Sequence, residues 1–128
     1  MTIGLDTSVV VRLLVGLPQT QFRAARKRLD VAHAEGRVVL VPDLVIAEAF
    51  HALTHHYQIP ENAIRTRMLE FLRSGLVQAD PPGAEHALDA AGPAGVVDHL
   101  IHQRCRERLA TLLTFDRRQA RRGGAELL

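Results

Sequence analysis

Four carboxylates stand where the chain passes between apolar runs. Asp6 closes the run Thr2–Leu5, and Asp116 comes two residues after Leu112-Leu113-Thr114. Glu48 falls in the second turn of the helix expected after Val38–Val41, and Asp98 in the first turn of the helix that feeds the run at 109–114. Each acid has a local explanation. Asp6 suits a turn before Thr7-Ser8, Asp116 with Gln119 has capping-box spacing, and Asp98 favours the positive end of a helix. Glu48 resists such an account, because Val45, Ile46, Ala47, Ala49 and Phe50 surround it and an unpaired buried carboxylate is costly. Two carboxylates about 5 Å apart repel by roughly 3 kcal/mol at an effective dielectric near 20, so four together protonate or recruit a cation. Oxygen-only donors suit Mg2+ or Mn2+ rather than zinc. An ion held this way orients and activates water, the chemistry of phosphodiester hydrolysis.

These acids converge only if the elements carrying them do. Thr2–Leu5, Val38–Val41 and Leu109–Thr114 read as strands, with Leu76-Val77 a short one and the final apolar tetrapeptide a potential edge strand. Between them, Val9–Val15, Gln19–Glu35, Pro42 to about Tyr57, Pro60 to Gly75, Ala84–Ala91 and about Gly95–Arg108 read as helices. Thr7 or Ser8 could cap the first of these, Gly36 ends the second, and Gly92-Pro93 breaks the chain before the last. Asp116 opens a short Arg-rich helix. Alternating strands and helices predict a three-layer α/β/α fold with a central, mostly parallel, five-stranded sheet. Such sheets place their sites beyond the carboxyl ends of the strands. If the first, second and fourth strands are neighbours, all four acids reach one edge.

Length and composition are compatible with that architecture. The 128 residues fit one domain spanning 1–128, with 47% hydrophobic and 23% charged residues. One cysteine, Cys105, allows no internal disulfide, and no apolar run reaches a membrane-spanning length. The start Met1-Thr2-Ile3-Gly4-Leu5-Asp6 does not resemble a secretory signal, so a soluble cytoplasmic protein without a membrane partner is expected. The net charge of +2 excludes little, but its distribution is uneven. Residues 78–100 carry four acids and no Lys or Arg, whereas 104–122 carry seven Arg against Glu107 and Asp116. Those arginines fit either a phosphate-gripping rim or a solvated basic face.

The ordered segments Leu5-Asp6-Thr7-Ser8-Val9-Val10, Val45-Ile46-Ala47-Glu48, Val97-Asp98-His99-Leu100-Ile101 and Leu113-Thr114-Phe115-Asp116-Arg117-Arg118 resemble the successive motifs of PIN-domain nucleases. The similarity is closest to VapC-type toxins of type II toxin–antitoxin pairs, and it covers essentially the whole chain. It implies a Mg2+-dependent endoribonuclease that leaves a 5′-phosphate and a 3′-hydroxyl. It also implies a homodimer and a cognate antitoxin, with operator DNA bound only through that antitoxin. Asp6 and Asp98 match the firmest metal ligands, with Glu48 binding directly or through water and Asp116 outermost. Thr114 matches the hydroxyl residue before the last acid, and Thr7 or Ser8 the one after the first. Gly95 departs from the pattern, since many relatives carry a polar or acidic residue there.

Other constellations read less sharply. His51 and His55 have zinc-compatible spacing but no evident third ligand. His99 and His102 read as solvated, with the acidic cleft or RNA as the alternative for His99, and Cys105 reads as a continuation of an apolar helix face. Aromatic residues are only 4%, so base stacking is not expected to dominate any nucleic-acid contact. A non-cleaving RNA- or DNA-binding regulator acting with an antitoxin is the alternative, motivated by Gly95. Asp6-Thr7-Ser8 lacks the second acid of a dehalogenase-type phosphatase, and Lys27, the sole lysine, does not fit a response-regulator receiver.

Overall fold

The computed structural model describes residues 2–89, 95–121 and 123–128. Five short strands alternate with helices in the order expected of an α/β/α layered fold. The strands are β1 (Ile3–Gly4), β2 (Val39–Pro42), β3 (Gln78–Asp80), β4 (Leu112–Thr114) and β5 (Ala125–Leu127). The helices are α1 (Thr7–Val15), α2 (Gln19–Ala34), α3 (Asp43–His55), α4 (Glu61–Leu72), α5 (His86–Asp89), α6 (Val96–Glu107) and α7 (Arg117–Ala120). Every strand pairing is parallel, with Ile3 opposite Val39, Val41 opposite Ala79, and Leu113 opposite Glu126.

The sheet is divided. Strands β1, β2 and β3 form one ladder with β2 in the centre, and β4 and β5 form a second. Among the described residues no pairing joins β1 to β4, so the single five-stranded sheet expected from the sequence is present as three strands and two. The cores of the two parts differ accordingly. Val39 and Val41 on β2 are buried against Val10, Leu29, Ile46, Ala49 and Ile64, a cluster continuous through α1, α2, α3 and α4. The second ladder leaves Leu113 56% exposed and Phe115, just beyond it, 81% exposed.

Local chemistry moves several boundaries. Helix α2 ends as predicted, with Gly36 at φ +67 and a paired closure in which Gly36 N donates to His33 O and Arg37 N to Ala32 O. Helix α6 ends by the same closure, Leu109 N to Arg106 O and Ala110 N to Cys105 O. Leucine stands there at φ +53, in the left-handed region that favours glycine. That closure consumes residues 109–111, which is why β4 begins at Leu112 rather than Leu109. Strand β3 lies just beyond the expected Leu76-Val77, because Val77 and Ala79 face inward while Gln78 and Asp80 face solvent. That alternation suits an edge strand with one covered face. The predicted end of the helix at Ala90-Ala91 and the break at Gly92-Pro93 lie outside the described residues.

Helices α3 and α6 are joined by a pair that sequence spacing did not reveal. Asp43 is buried, and its carboxylate accepts from Arg104 Nε and Nη2 and from Leu44 N. The Arg104 guanidinium holds the Asp43 carboxyl below its ordinary value of 3.8. One member of the Arg-rich stretch, still exposed, is therefore paired with a buried acid.

Candidate active site

The first two acids are organised by hydroxyls. Asp6 sits at the N-cap of α1, extended at φ −84 and ψ 163, and its side chain does not cap the helix. Thr7 and Ser8, expected as caps, serve the acids instead. Thr7 Oγ1 donates to Glu48 Oε1, and Ser8 Oγ donates to Asp6 Oδ2 at 3.4 Å. The bond from Thr7 ties the start of α1 to the middle of α3, elements far apart in the chain but packed together. It also answers the difficulty posed by Glu48, whose carboxylate is exposed to a cavity while Ile46, Ala49 and Phe50 of the same helix are buried.

That cavity has a volume of about 460 Å³. Asp6, Thr7, Ser8 and Glu48 line one part of it, with Arg12 of α1 and Ala52, His56 and Tyr57 at the end of α3. Arg12, His56 and Tyr57 lie outside the four acid-bearing sequence motifs. Arg12 lies at i+4 from Ser8 and Ala52 at i+4 from Glu48, so helical periodicity from the acid-bearing turns would have found the first of them.

The other two acids occupy a different arrangement. Asp116 caps α7, its Oδ1 accepting from Arg118 N at 2.8 Å. Thr114 Oγ1 accepts from Asp116 N at 2.9 Å, so this hydroxyl shapes the turn that carries the acid. Gln119 does not complete a capping box. It is buried, and its Nε2 donates to Asp98 O at 3.2 Å, which ties the first turn of α6 to α7. The structure thus brings Asp6 and Glu48 to one cavity and connects the segments bearing Asp98 and Asp116 to each other. Among the described residues no three His, Cys, Asp or Glu side chains stand close enough to hold one metal ion together.

Two acids suffice for a hard divalent ion. Mg2+ is ordinarily held by one or two carboxylates, with waters and substrate phosphates completing its shell. Asp6 and Glu48, opening on one cavity and supported by two hydroxyls, are an oxygen-only donor set of that kind. His51 and His55, by contrast, pack their rings against each other with centroids 4.3 Å apart, and among the described residues they gather no third ligand.

Of the two histidines on α6, His99 is half-buried. His102, expected to be solvated, is buried beneath the Gly123-Gly124 turn before β5, and among the described residues neither ring nitrogen is hydrogen-bonded. It lines a second cavity of about 430 Å³ with Cys105, Arg106 and Leu109. Cys105 is half-buried there, less enclosed than a core residue.

Parallel strands and helices thus carry two carboxylates to one cavity. The PIN domain family model matches residues 3–125, and the chain belongs to that family. Its members are generally metal-dependent nucleases, which places the chain in the nuclease class. No curated protein and no solved structure matches it significantly. Among the described residues no helix is long and apolar enough to cross a membrane.

Proposed function

We propose that the protein is a Mg2+- or Mn2+-dependent endoribonuclease, the toxin of a type II toxin–antitoxin pair of the VapC type. The observation that carries the nuclease reading is the pairing of Asp6 and Glu48 on one cavity, each carboxylate engaged by a hydroxyl of Thr7 or Ser8. Asp6 and Glu48 would hold the ion, with Asp98 and Asp116 contributing from the α6 and α7 side. A divalent ion there supplies charge neutralisation and an activated water for phosphodiester hydrolysis. Thr7 keeps the Glu48 carboxylate turned toward the cavity, and Ser8 does the same for Asp6. The scissile phosphate would enter from the open side, where solvent reaches both acids. The toxin role, the antitoxin, the homodimer and antitoxin-mediated DNA binding rest on the family likeness.

A fluorescent single-stranded RNA tests the reading directly. Cleavage in Mg2+ or Mn2+, protection by chelator and loss of cutting in Asp6→Ala protein are expected. Equal cutting by Asp6→Ala and wild-type protein overturns the site.

The second reading, a non-cleaving RNA-binding regulator, draws on the separation of Asp98 and Asp116 from a three-acid cluster. RNA binding without cutting in any divalent metal favours it.

A further inference from the structure

The acid-bearing cavity is larger than a hydrated ion requires. A water occupies about 30 Å³ of liquid, whereas small-molecule sites run to roughly 300–1,000 Å³. The space of about 460 Å³ therefore has room for a second group beside the carboxylates. Its remaining lining has a defined chemistry. Arg12 Nε donates to Gln21 Oε1 at 2.6 Å, which anchors the guanidinium to α2, and no carboxylate among the described residues pairs with it as a salt bridge. Tyr57 follows α3, its N–H donating to Ala52 O at 3.3 Å. The backbone then turns at Gln58, φ +53, and the Tyr57 side chain stays 43% exposed at the cavity wall beside His56.

An aromatic face, an anchored cation and two carboxylates in one cavity match one nucleotide unit. We infer that the cavity contains a nucleotide subsite in which a base of single-stranded RNA stacks on Tyr57 and the neighbouring phosphate is held by Arg12. Stacking of this kind tolerates any base, since every base has a π face. The Arg12 guanidinium presents paired N–H donors to phosphate oxygens. Its charge also offsets the repulsion that Asp6 and Glu48 exert on an approaching polyanion. Tyr57 and Arg12 are then positioning residues that fix which phosphate faces the acids. The inference rests on RNA being the ligand, and it does not require that the RNA be cut.

The chain has one tyrosine and no tryptophan, so its intrinsic fluorescence reports the Tyr57 ring alone. The wild-type protein is titrated with an oligoadenylate hexamer in chelator at low salt. Saturable quenching of tyrosine emission is expected. By anisotropy of the labelled hexamer, Tyr57→Ala weakens binding about thirtyfold, the middle of the range for base stacking. Tyr57→Phe, which keeps the ring, stays within about twofold of wild type. Arg12→Gln weakens binding and lowers the salt slope by about one, as expected for a lost phosphate contact. In the cleavage assay Tyr57→Ala raises KM and leaves kcat within about twofold. Binding without quenching, or unchanged affinity in Tyr57→Ala, overturns the subsite. Quenching by RNA without cutting in any metal upholds the subsite and sinks the nuclease reading. Cutting that ignores Tyr57 does the reverse.

Discussion

The two halves of the candidate site are built by different means. Asp6 and Glu48 belong to α1 and α3, which pack over β1 and β2 on a continuous core that buries Val10, Ile46 and Val41 almost completely. Their carboxylates are engaged by side-chain hydroxyls, so a rigid scaffold turns both acids toward one cavity. Asp98 and Asp116 belong to the β4–β5 side, where Leu113, Phe115 and Leu128 face solvent and Gln119 and His102 are buried with unsatisfied atoms. Helix α6, which carries Asp98, buries Val96 and Leu100 in the main core and pairs with α3 through Arg104 and Asp43, whereas α7 is tied to it by Gln119 donating to Asp98 O. The difference teaches that Asp6, Glu48 and Asp98 are carried by elements packed into the main core, and Asp116 by a thinner shell held with hydrogen bonds.

Stability measurements should separate the halves first. Ile46→Ala removes a fully buried side chain and should cost about 2–5 kcal/mol, read by denaturant unfolding. Leu113→Ser should change stability by no more than about 0.5 kcal/mol. A cost for Leu113→Ser comparable to the core deletion would show that the second ladder is covered in solution, and the contrast would fall.

Metal affinity sharpens the comparison within the site. Thr7→Val removes the hydroxyl that turns Glu48 and should weaken Mg2+ binding about tenfold by calorimetry, as loss of a supporting shell commonly does. Gln119→Leu, acting on the other pair, should change it less. The reverse order would mean that Asp98 and Asp116 are the principal ligands.

A gain is expected at Leu109. This residue is 95% exposed and occupies the left-handed closure of α6. Leu109→Gly should stabilise by about 1 kcal/mol, seen as a rise in Tm, because glycine adopts that conformation without steric cost. Gly36→Ala, at the equivalent closure of α2, should lose stability by a similar amount.

The pH dependence offers the finest contrast. The folded Asp43 carboxyl titrates below its ordinary value of 3.8, so its contribution is fully present above that value and fades as pH falls through the lowered one. Asp43→Asn should be less stable than wild type from weakly acid to neutral pH, and the two should converge in strong acid. A difference that persists unchanged in strong acid would mean that the carboxylate charge is not what Arg104 recognises.

Much of this was legible in the linear chain. Strands alternating with helices followed from the valine-rich run Val38–Val41, from apolar spacing at Phe22, Leu29 and Ala32, and from Gly36 as a stop. The four acids stood out because they fall at predicted strand ends and early helix turns. The burial pattern of β3 and the closure at Leu109 were less legible, since an edge strand needs only alternate burial and a leucine at positive φ carries no signal in sequence.

Residue type and local spacing thus determined the elements, their order and the acids each could carry, because helix and strand preferences and caps act over a few residues. Tertiary structure decided which partners those acids meet. Thr7 turned from capping its helix to binding Glu48, Gln119 reached Asp98 instead of its own cap, and Asp43 found Arg104. Tyr57 and Arg12 joined the acid-bearing cavity only when α1 packed against α3. Contacts between residues distant in the chain depend on how side chains fill shared space, and no periodicity in a linear chain encodes that.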